Sequence, residues 1–405
     1  MSDASLNPAP PAYPSDFPLA GASDLAAGLI AVLDDPAALT ARLCDIPSVS
    51  GDERLLTDAV HLVLEHISAH GTPLDIRRDG DTLVASTSLG RDERILVAGH
   101  LDTVPIEGNV PSEDRVLDGE DVIWARGACD MKAGVAMALS VAHRLRSPRR
   151  DLTWVFYDHE EVDSDLNGLG RVSRNHPDWL HADLAILGEP SNAGIEGGCN
   201  GTIRVEVRTH GVRAHSARAF MGENAIHAAG DILVKLAAFE APTVTVDGLD
   251  YRESLSAVGI SGGVAGNVVP DECTVVVNYR FAPNTSAADA EAWLREFFAG
   301  YDLNVTDAAD GARPGLDLPA AQEFVRAIGS APAPKLGWTD VARFSALGMP
   351  AVNFGPGNAL FAHKADEHVR RSEVVAATEA LLAFLEPSAS AVPGQSTSSE
   401  PKGQA

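Results

Sequence analysis

Residues 94–105, RILVAGHLDTVP, decide the fold. Apolar or small residues run without alternation from Ile95 to Gly99, the signature of a strand covered on both faces, and the run ends on His100. The same grammar returns along the chain. LTWVFYD at 152–158 leads into His159, Glu160 and Glu161, DLAILGE at 183–189 ends on Glu189, and PAVNFGP at 350–356 precedes His363. Between the first two strands lies AGVAMALSVAHRLR at 133–146, a helical pattern so rich in Ala, Gly and Val that it can pack closely on a sheet and be covered on more than one side. Apolar strands alternating with helices predict an α/β fold on a central sheet.

A different texture starts near Gly201. TIRVEVRT at 202–209 alternates strictly, with Ile203, Val205 and Val207 on one face and Arg204, Glu206 and Arg208 on the other, as a half-solvated antiparallel strand does. A helical run at 224–239, strands near 255–260 and at 273–281, and a helix at 287–298 follow. This β-α-β-β-α-β order over residues 200–310 predicts a small ferredoxin-like α+β domain. Sheet-forming sequence resumes after it, so it is expected to be inserted, leaving 24–199 and 311–386 as one discontinuous catalytic domain. The Pro-rich residues 1–23 and the Ser/Pro/Gly-rich residues 387–405 lack hydrophobic periodicity and are expected to be disordered.

Composition limits the function classes. The chain has 405 residues, which exceeds the size at which one core stops growing, about 250 to 300 residues. With 45% hydrophobic and 22% charged residues it has the material for packed cores. A formal charge of -26 repels phosphate backbones and anionic lipids, so nucleic acid and membrane are not expected partners, whereas cations and small molecules are. The opening MSDASLNPAPPAYPSDF has no basic stretch followed by an apolar core, so no secretory signal is expected. No run approaches the roughly 18 apolar residues of a membrane span. Cys44, Cys129, Cys199 and Cys273 are scattered without a C-x-x-C pair, which predicts buried small residues in a reducing cytoplasm.

Open α/β sheets bind ligands at the carboxyl ends of their strands. To those ends this chain delivers His100, Asp102, Glu160, Glu161 and Glu189, with Asp130 in ARGACDMKAG at 125–134 and His363 in HKADEH at 363–368. Each alone has a plain structural explanation, as a satisfied core histidine or a carboxylate capping a turn. Repeated delivery to one sheet edge is hard to obtain from capping, and two imidazoles among several carboxylates suit zinc or a similar divalent ion. Asp102 stands two residues beyond His100 on extended backbone, so it is expected to reach the imidazole and fix its tautomer. Adjacent Glu160 and Glu161 can enter one site only where the strand gives way to a turn, one to bind metal and the other to move a proton.

GHLDTVP, ARGACDMKAG, the Glu160–Glu161 pair, ILGEP and GPGNALFAHKADE, in that order, resemble the family of dinuclear zinc peptidases that includes aminoacylases, acetylornithine deacetylases and succinyl-diaminopimelate desuccinylases. The resemblance covers roughly residues 36 to 385. It implies a zinc-peptidase-like catalytic domain with a central mixed sheet, and an inserted lid that also joins two chains into a homodimer. It also implies two zinc ions, with cobalt an alternative in one site. His100 and Glu189 would hold one ion, Glu161 and His363 the other, and Asp130 would bridge them before a cis peptide. Glu160 would be the general base and Asp102 would support His100. GVRAHSARA resembles the lid's histidine segment, which makes His215 an oxyanion donor supplied across the dimer interface. GGVAGNVVPDE and VNYRF nominate Asn267 and Arg280 for the substrate's carboxylates, and GWTDVARF nominates Thr339 and Arg343. His61, His66, His70, His143, His159 and His368 fall on no ligand position and are expected at the surface or in helix packing.

FYDHEEV, NGLGR, YRESLSAV, NYRFAP and GWTDVARF look like one branch of the desuccinylases. That likeness implies hydrolysis of N-succinyl-LL-2,6-diaminopimelate to succinate and LL-2,6-diaminopimelate, a step toward lysine. One departure stands out: better-known members carry an Arg-rich stretch before the lid's first strand, where this chain reads GGCNGT at 197–202. It leaves acetylornithine deacetylase and dipeptidase activities as alternatives. A non-catalytic metal-binding relative would have no use for Glu160 beside Glu161.

Overall fold

A computed structural model of the chain describes residues 21–386. The tail 387–405 and residues 1–20, both expected to be disordered, lie outside the described residues. The helix Ala22–Ile30 begins inside the segment 1–23, two residues before the expected start of structure; it is pinned by Ala26 and Leu29, which are buried.

Eight strands form one mixed sheet in the order Asp75–Asp79, Thr82–Ser86, Asp151–Tyr157, Arg94–His100, Leu184–Leu187, Ala351–Asn353, Glu196–Gly197 and Ala333–Pro334. Arg94–His100 is parallel to both Asp151–Tyr157 and Leu184–Leu187, and Leu184–Leu187 is parallel to Ala351–Asn353. These four central strands therefore end along one edge. Their apolar runs are continuous because each face has its own cover. Ile95, Val97, Trp154 and Phe156 pack with Val135, Leu139, Val60 and Phe384 on one side, while Leu96, Ala98, Val155 and Tyr157 pack with Leu169, Val172 and Phe344 on the other.

The helix Lys132–Arg144 is buried from Lys132 through Ala142, as its Ala/Gly/Val composition predicts. Its Gly134 explains how close it comes: a Cβ there would lie 2.0 Å from the carbonyl oxygen of Gly188. The helix start, which carries Asp130 just before it, is thereby drawn against the strand end that carries Glu189.

A second sheet of four antiparallel strands runs Ser254–Gly262, Glu272–Phe281, Gly201–His210 and Asp302–Ala309. With the helices Ala225–Ala237 and Ala287–Phe297 this is the ferredoxin-like order and topology. Ile203, Val205 and Val207 are buried against Ile232, Leu236 and Leu294, and Arg204 faces out.

Two features have no counterpart in the sequence reading. Thr243–Val246 pairs with Leu249–Arg252 as a hairpin, and His368–Arg370, Glu120–Trp124 and Glu113–Leu117 form a three-stranded sheet. Both turn at an Asp-Gly pair with positive φ, Asp247 at 50° and Gly248 at 85°, and Asp118 at 52° and Gly119 at 84°. That dipeptide is the strongest short-range hairpin signal. Among the described residues no helix is long and apolar enough to cross a membrane, and all four cysteines are buried and unpaired.

Candidate metal centre

The site assembles at the shared strand edge. His100 is the last residue of its strand and is fully buried. Its Nδ1 lies 3.0 Å from the backbone carbonyl of Asp102, which makes Nδ1 the protonated nitrogen and leaves Nε2 to face the cluster. The Asp102 carboxylate stands 3.5 Å from the same nitrogen. It accepts the backbone N–H groups of Glu160 and Glu161, each at 3.0 Å, and the Ser50 hydroxyl at 2.7 Å. Asp102 thus orients His100 through its carbonyl and holds the Glu160–Glu161 turn through its side chain.

That turn is where both glutamates can enter one site. The strand ends at Tyr157, and His159 takes φ 57°, a left-handed conformation that is uncommon outside glycine. The His159 N–H is held at 3.2 Å by Glu53, a fully buried carboxylate that also accepts from the Gly51 amide at 2.9 Å.

Asp130 lies between two imidazoles. Its Oδ1 is 3.2 Å from His100 Nε2, and its Oδ2 is 3.4 Å from His363 Nε2. His363 Nε2 is also 3.0 Å from Glu161, and Glu189 Oε1 is 4.0 Å from His100 Nε2. The Asp130–Met131 peptide is cis. One carboxylate with an oxygen toward each imidazole, one further carboxylate on either side, and ligand atoms of His100, Asp130 and Glu161 all within 4.8 Å make a donor set that fits divalent cations.

The electrostatics suit such cations. Burial, followed by repulsion from Asp130, pushes the Glu189 carboxyl up to about 8. Burial also raises Glu160 well above the usual carboxylate range; His100 offsets part of this, while Asp340, Glu189 and Glu161 add to it. Glu161 is raised chiefly by burial. Burial acts on Asp130 in the same direction, but hydrogen bonds from His100 and His363 outweigh it and hold Asp130 low. The hydrogen bonds with Asp130 and Glu161 push His363 up to about 10.

The remaining expected residues are distributed as follows. His215 is exposed, its Nδ1 accepting from the Ala217 N–H at 3.0 Å, and among the described residues it makes no hydrogen bond with the cluster. Its short strand pairs Ala214 with Val269 and His215 with Val268, and the Ser216 N–H donates to the Asn267 carbonyl at 2.9 Å, so His215 and Asn267 sit side by side. Arg280 lines a cavity of about 320 Å³ with Asn200, Arg252, Glu253, Ser254 and Leu336. Neither Arg280 nor Arg252 has a carboxylate within 4.0 Å among the described residues. Thr339 and Arg343 have partners inside the protein. Thr339 is buried with its hydroxyl donating to Asn353 at 2.9 Å, and the Arg343 guanidinium is bound 2.5 Å from the buried Asp340. Both groups bond neighbours inside the protein.

Three residues that hold the segments of this centre escaped the sequence reading: Glu53, Arg126 and Glu367. Arg126 and Glu367 lie inside ARGACDMKAG and HKADEH, yet spacing alone cannot bring positions 126 and 367 together. Arg126 Nη1 donates to Glu367 at 2.8 Å.

A family model described as peptidase family M20/M25/M40 matches residues 96–386. A protein of Mycobacterium tuberculosis (strain H37Rv) that carries the provisional name succinyl-diaminopimelate desuccinylase DapE is 50% identical over 87% of this chain and 98% of its own length. A succinyl-diaminopimelate desuccinylase of Corynebacterium glutamicum is 42% identical over 90% of this chain and 99% of its own. Among solved structures, a tripeptidase of Staphylococcus aureus superposes with a TM-score of 0.68 at 19% identity, covering 89% of this chain and 97% of that one, which shows a shared fold.

Proposed function

The chain belongs to the peptidase family M20/M25/M40 and is a metal-dependent hydrolase, and from that premise we propose that it cleaves N-succinyl-LL-2,6-diaminopimelate to succinate and LL-2,6-diaminopimelate. The observation that carries the chemistry is Asp130, one oxygen toward His100 and the other toward His363. The substrate rests on near full-length identity to relatives with that name.

His100 and Glu189 would hold one zinc ion, Glu161 and His363 the other, and Asp130 both, with cobalt able to replace zinc in one site. Bound there, the ions would supply Lewis acidity toward the amide carbonyl and make water at the site more acidic. Glu160 accepts the proton of the attacking water and returns it to the departing amine. Its carboxylate makes no hydrogen bond with another side chain among the described residues, whereas its backbone is clamped by Asp102. Asp102 therefore acts as a positioning residue.

Residues 24–199 and 311–386 act as the catalytic part and 200–310 as a lid, through which two chains form a homodimer. In support, Ile226, Leu233 and Val234 on the lid helix and Val258, Ile260 and Val264 on or beside its edge strand are exposed apolar residues. His215, with Asn267 beside it, would complete the partner's site and donate to the oxyanion. Arg280, with Arg252 in the same cavity, has no carboxylate within 4.0 Å among the described residues and suits the carboxylates of a succinyl or diaminopimelate group. Four unpaired cysteines suit a cytoplasmic setting.

The test compares N-succinyl- and N-acetyl-LL-2,6-diaminopimelate as substrates of the wild type and of Arg280→Ala. The succinyl compound should be preferred. The Arg280→Ala variant should lose about ten- to one-hundredfold in kcat/KM on it, the worth of one charged hydrogen bond of about 1.5 to 3 kcal/mol. Equal rates on the two substrates would remove the desuccinylase reading and leave a metal-dependent hydrolase of another specificity.

A further inference from the structure

Glu367 and Arg126 are 1% and 2% exposed and form an ion pair directly behind the metal centre. A buried pair of this kind is a weak source of stability, because taking two charges out of water costs about as much as their attraction returns. Its other contacts are more informative. Glu367 Oε1 accepts the backbone N–H groups of Cys129 at 3.0 Å and Asp130 at 3.1 Å, while Oε2 takes Arg126. Arg126 Nη1 also donates to the carbonyl of Lys364, the residue after His363, at 3.1 Å, and its Nε donates to the carbonyl of Pro105 at 2.9 Å. The backbone of Glu367 accepts from the Ala125 N–H at 3.2 Å. Two side chains thus join the three segments that carry Asp102, Asp130 and His363.

We propose that Glu367, held by Arg126, is a positioning residue of the metal centre, fixing the Asp130 backbone so that its carboxylate spans both imidazoles while the His363 segment is held at matching distance. The Asp130 amide bond sets the orientation of the very residue whose two oxygens must diverge, and the Lys364 carbonyl bond sets the approach of the second imidazole. Two accepting oxygens are needed, since all three donors on Glu367 present hydrogens. Glutamine would turn an NH2 group against either the two amides or the guanidinium. This inference rests on the metal centre of the reading above and is independent of the substrate.

The experiment measures zinc affinity without substrate, by competition with a chromophoric chelator, for the wild type, Glu367→Gln and Arg126→Lys. The zinc-free unfolding temperature of each protein is recorded alongside. Outer partners of metal ligands typically contribute about ten- to one-hundredfold to affinity. Glu367→Gln should therefore weaken at least one zinc by about tenfold or more, with zinc-free unfolding little changed and full stoichiometry regained at saturating zinc. Arg126→Lys keeps the charge beside Glu367 but not the geometry of the fork, and should give a smaller loss in the same direction. Wild-type affinity in Glu367→Gln overturns the proposal, as does an affinity loss accompanied by an equal collapse of the zinc-free fold. Should Glu367→Gln not fold, unchanged affinity in Arg126→Lys overturns it instead.

Discussion

Glu160 and Glu161 are neighbours in sequence with opposite assignments, and their surroundings account for the difference. Glu161 lies 3.0 Å from His363 and is committed to it. Glu160 has only its backbone fixed, by Asp102 at 3.0 Å, so its carboxylate remains free to face a water. Replacing it with glutamine keeps size and removes the base. Glu160→Gln should bind metal as the wild type does and lose at least about 100-fold in kcat, close to 3 kcal/mol of barrier. Metal content measured beside turnover decides this, and near wild-type turnover at full occupancy would reassign the base. Ligand residue types at strand ends were legible because apolar runs ending in His or Glu are conspicuous. Which atom of Asp102 meets His100 was not, since spacing fixes a face and says nothing of competing donors such as the amides of Glu160 and Glu161. The same limit hides the neighbours of Thr339 and Arg343, which are Asn353 and Asp340.

Among elements, the strands with one-sided or two-sided burial were read with their true boundaries to within a few residues, Arg94–His100 and Gly201–His210 among them. The hairpin ending at Arg252 and the small sheet holding His368–Arg370 were not. Their strands are short and mixed in character, so periodicity is silent and only the Asp-Gly turns announce them. The lid's outer elements raise the second question at this scale. Ser254–Gly262 is an edge strand with Val258 and Ile260 exposed, next to a helix exposing Leu233 and Val234. The proposed homodimer docks two such surfaces and has His215 act on the neighbouring chain. Mixing inactive Glu160→Gln with inactive His215→Ala chains should then restore part of the activity, because one site in each mixed dimer has both groups. No recovery despite demonstrated exchange of subunits would place His215 in its own chain's site or outside catalysis.

For the molecule as a whole, the acidic balance of -26 takes on a local meaning. Asp130, Glu160, Glu161 and Glu189 converge at one sheet edge with only two imidazoles among them, and the carboxyl of Glu189 is pushed up to about 8. Placing that many carboxylates together is costly unless cations share the site. The layered α/β body and the ferredoxin-like insert were legible from pattern, whereas the links between distant segments, such as Arg126 to Glu367, arise only when the chain is folded. The central claim is that this charge arrangement holds the metals that cleave a succinyl amide. Zinc-stripped protein, titrated with zinc while succinate release from N-succinyl-LL-2,6-diaminopimelate is followed, tests it most directly. The account predicts no release before zinc is added and a plateau near about two equivalents per chain. Full activity in the stripped protein, or no succinate at any zinc level, would contradict it.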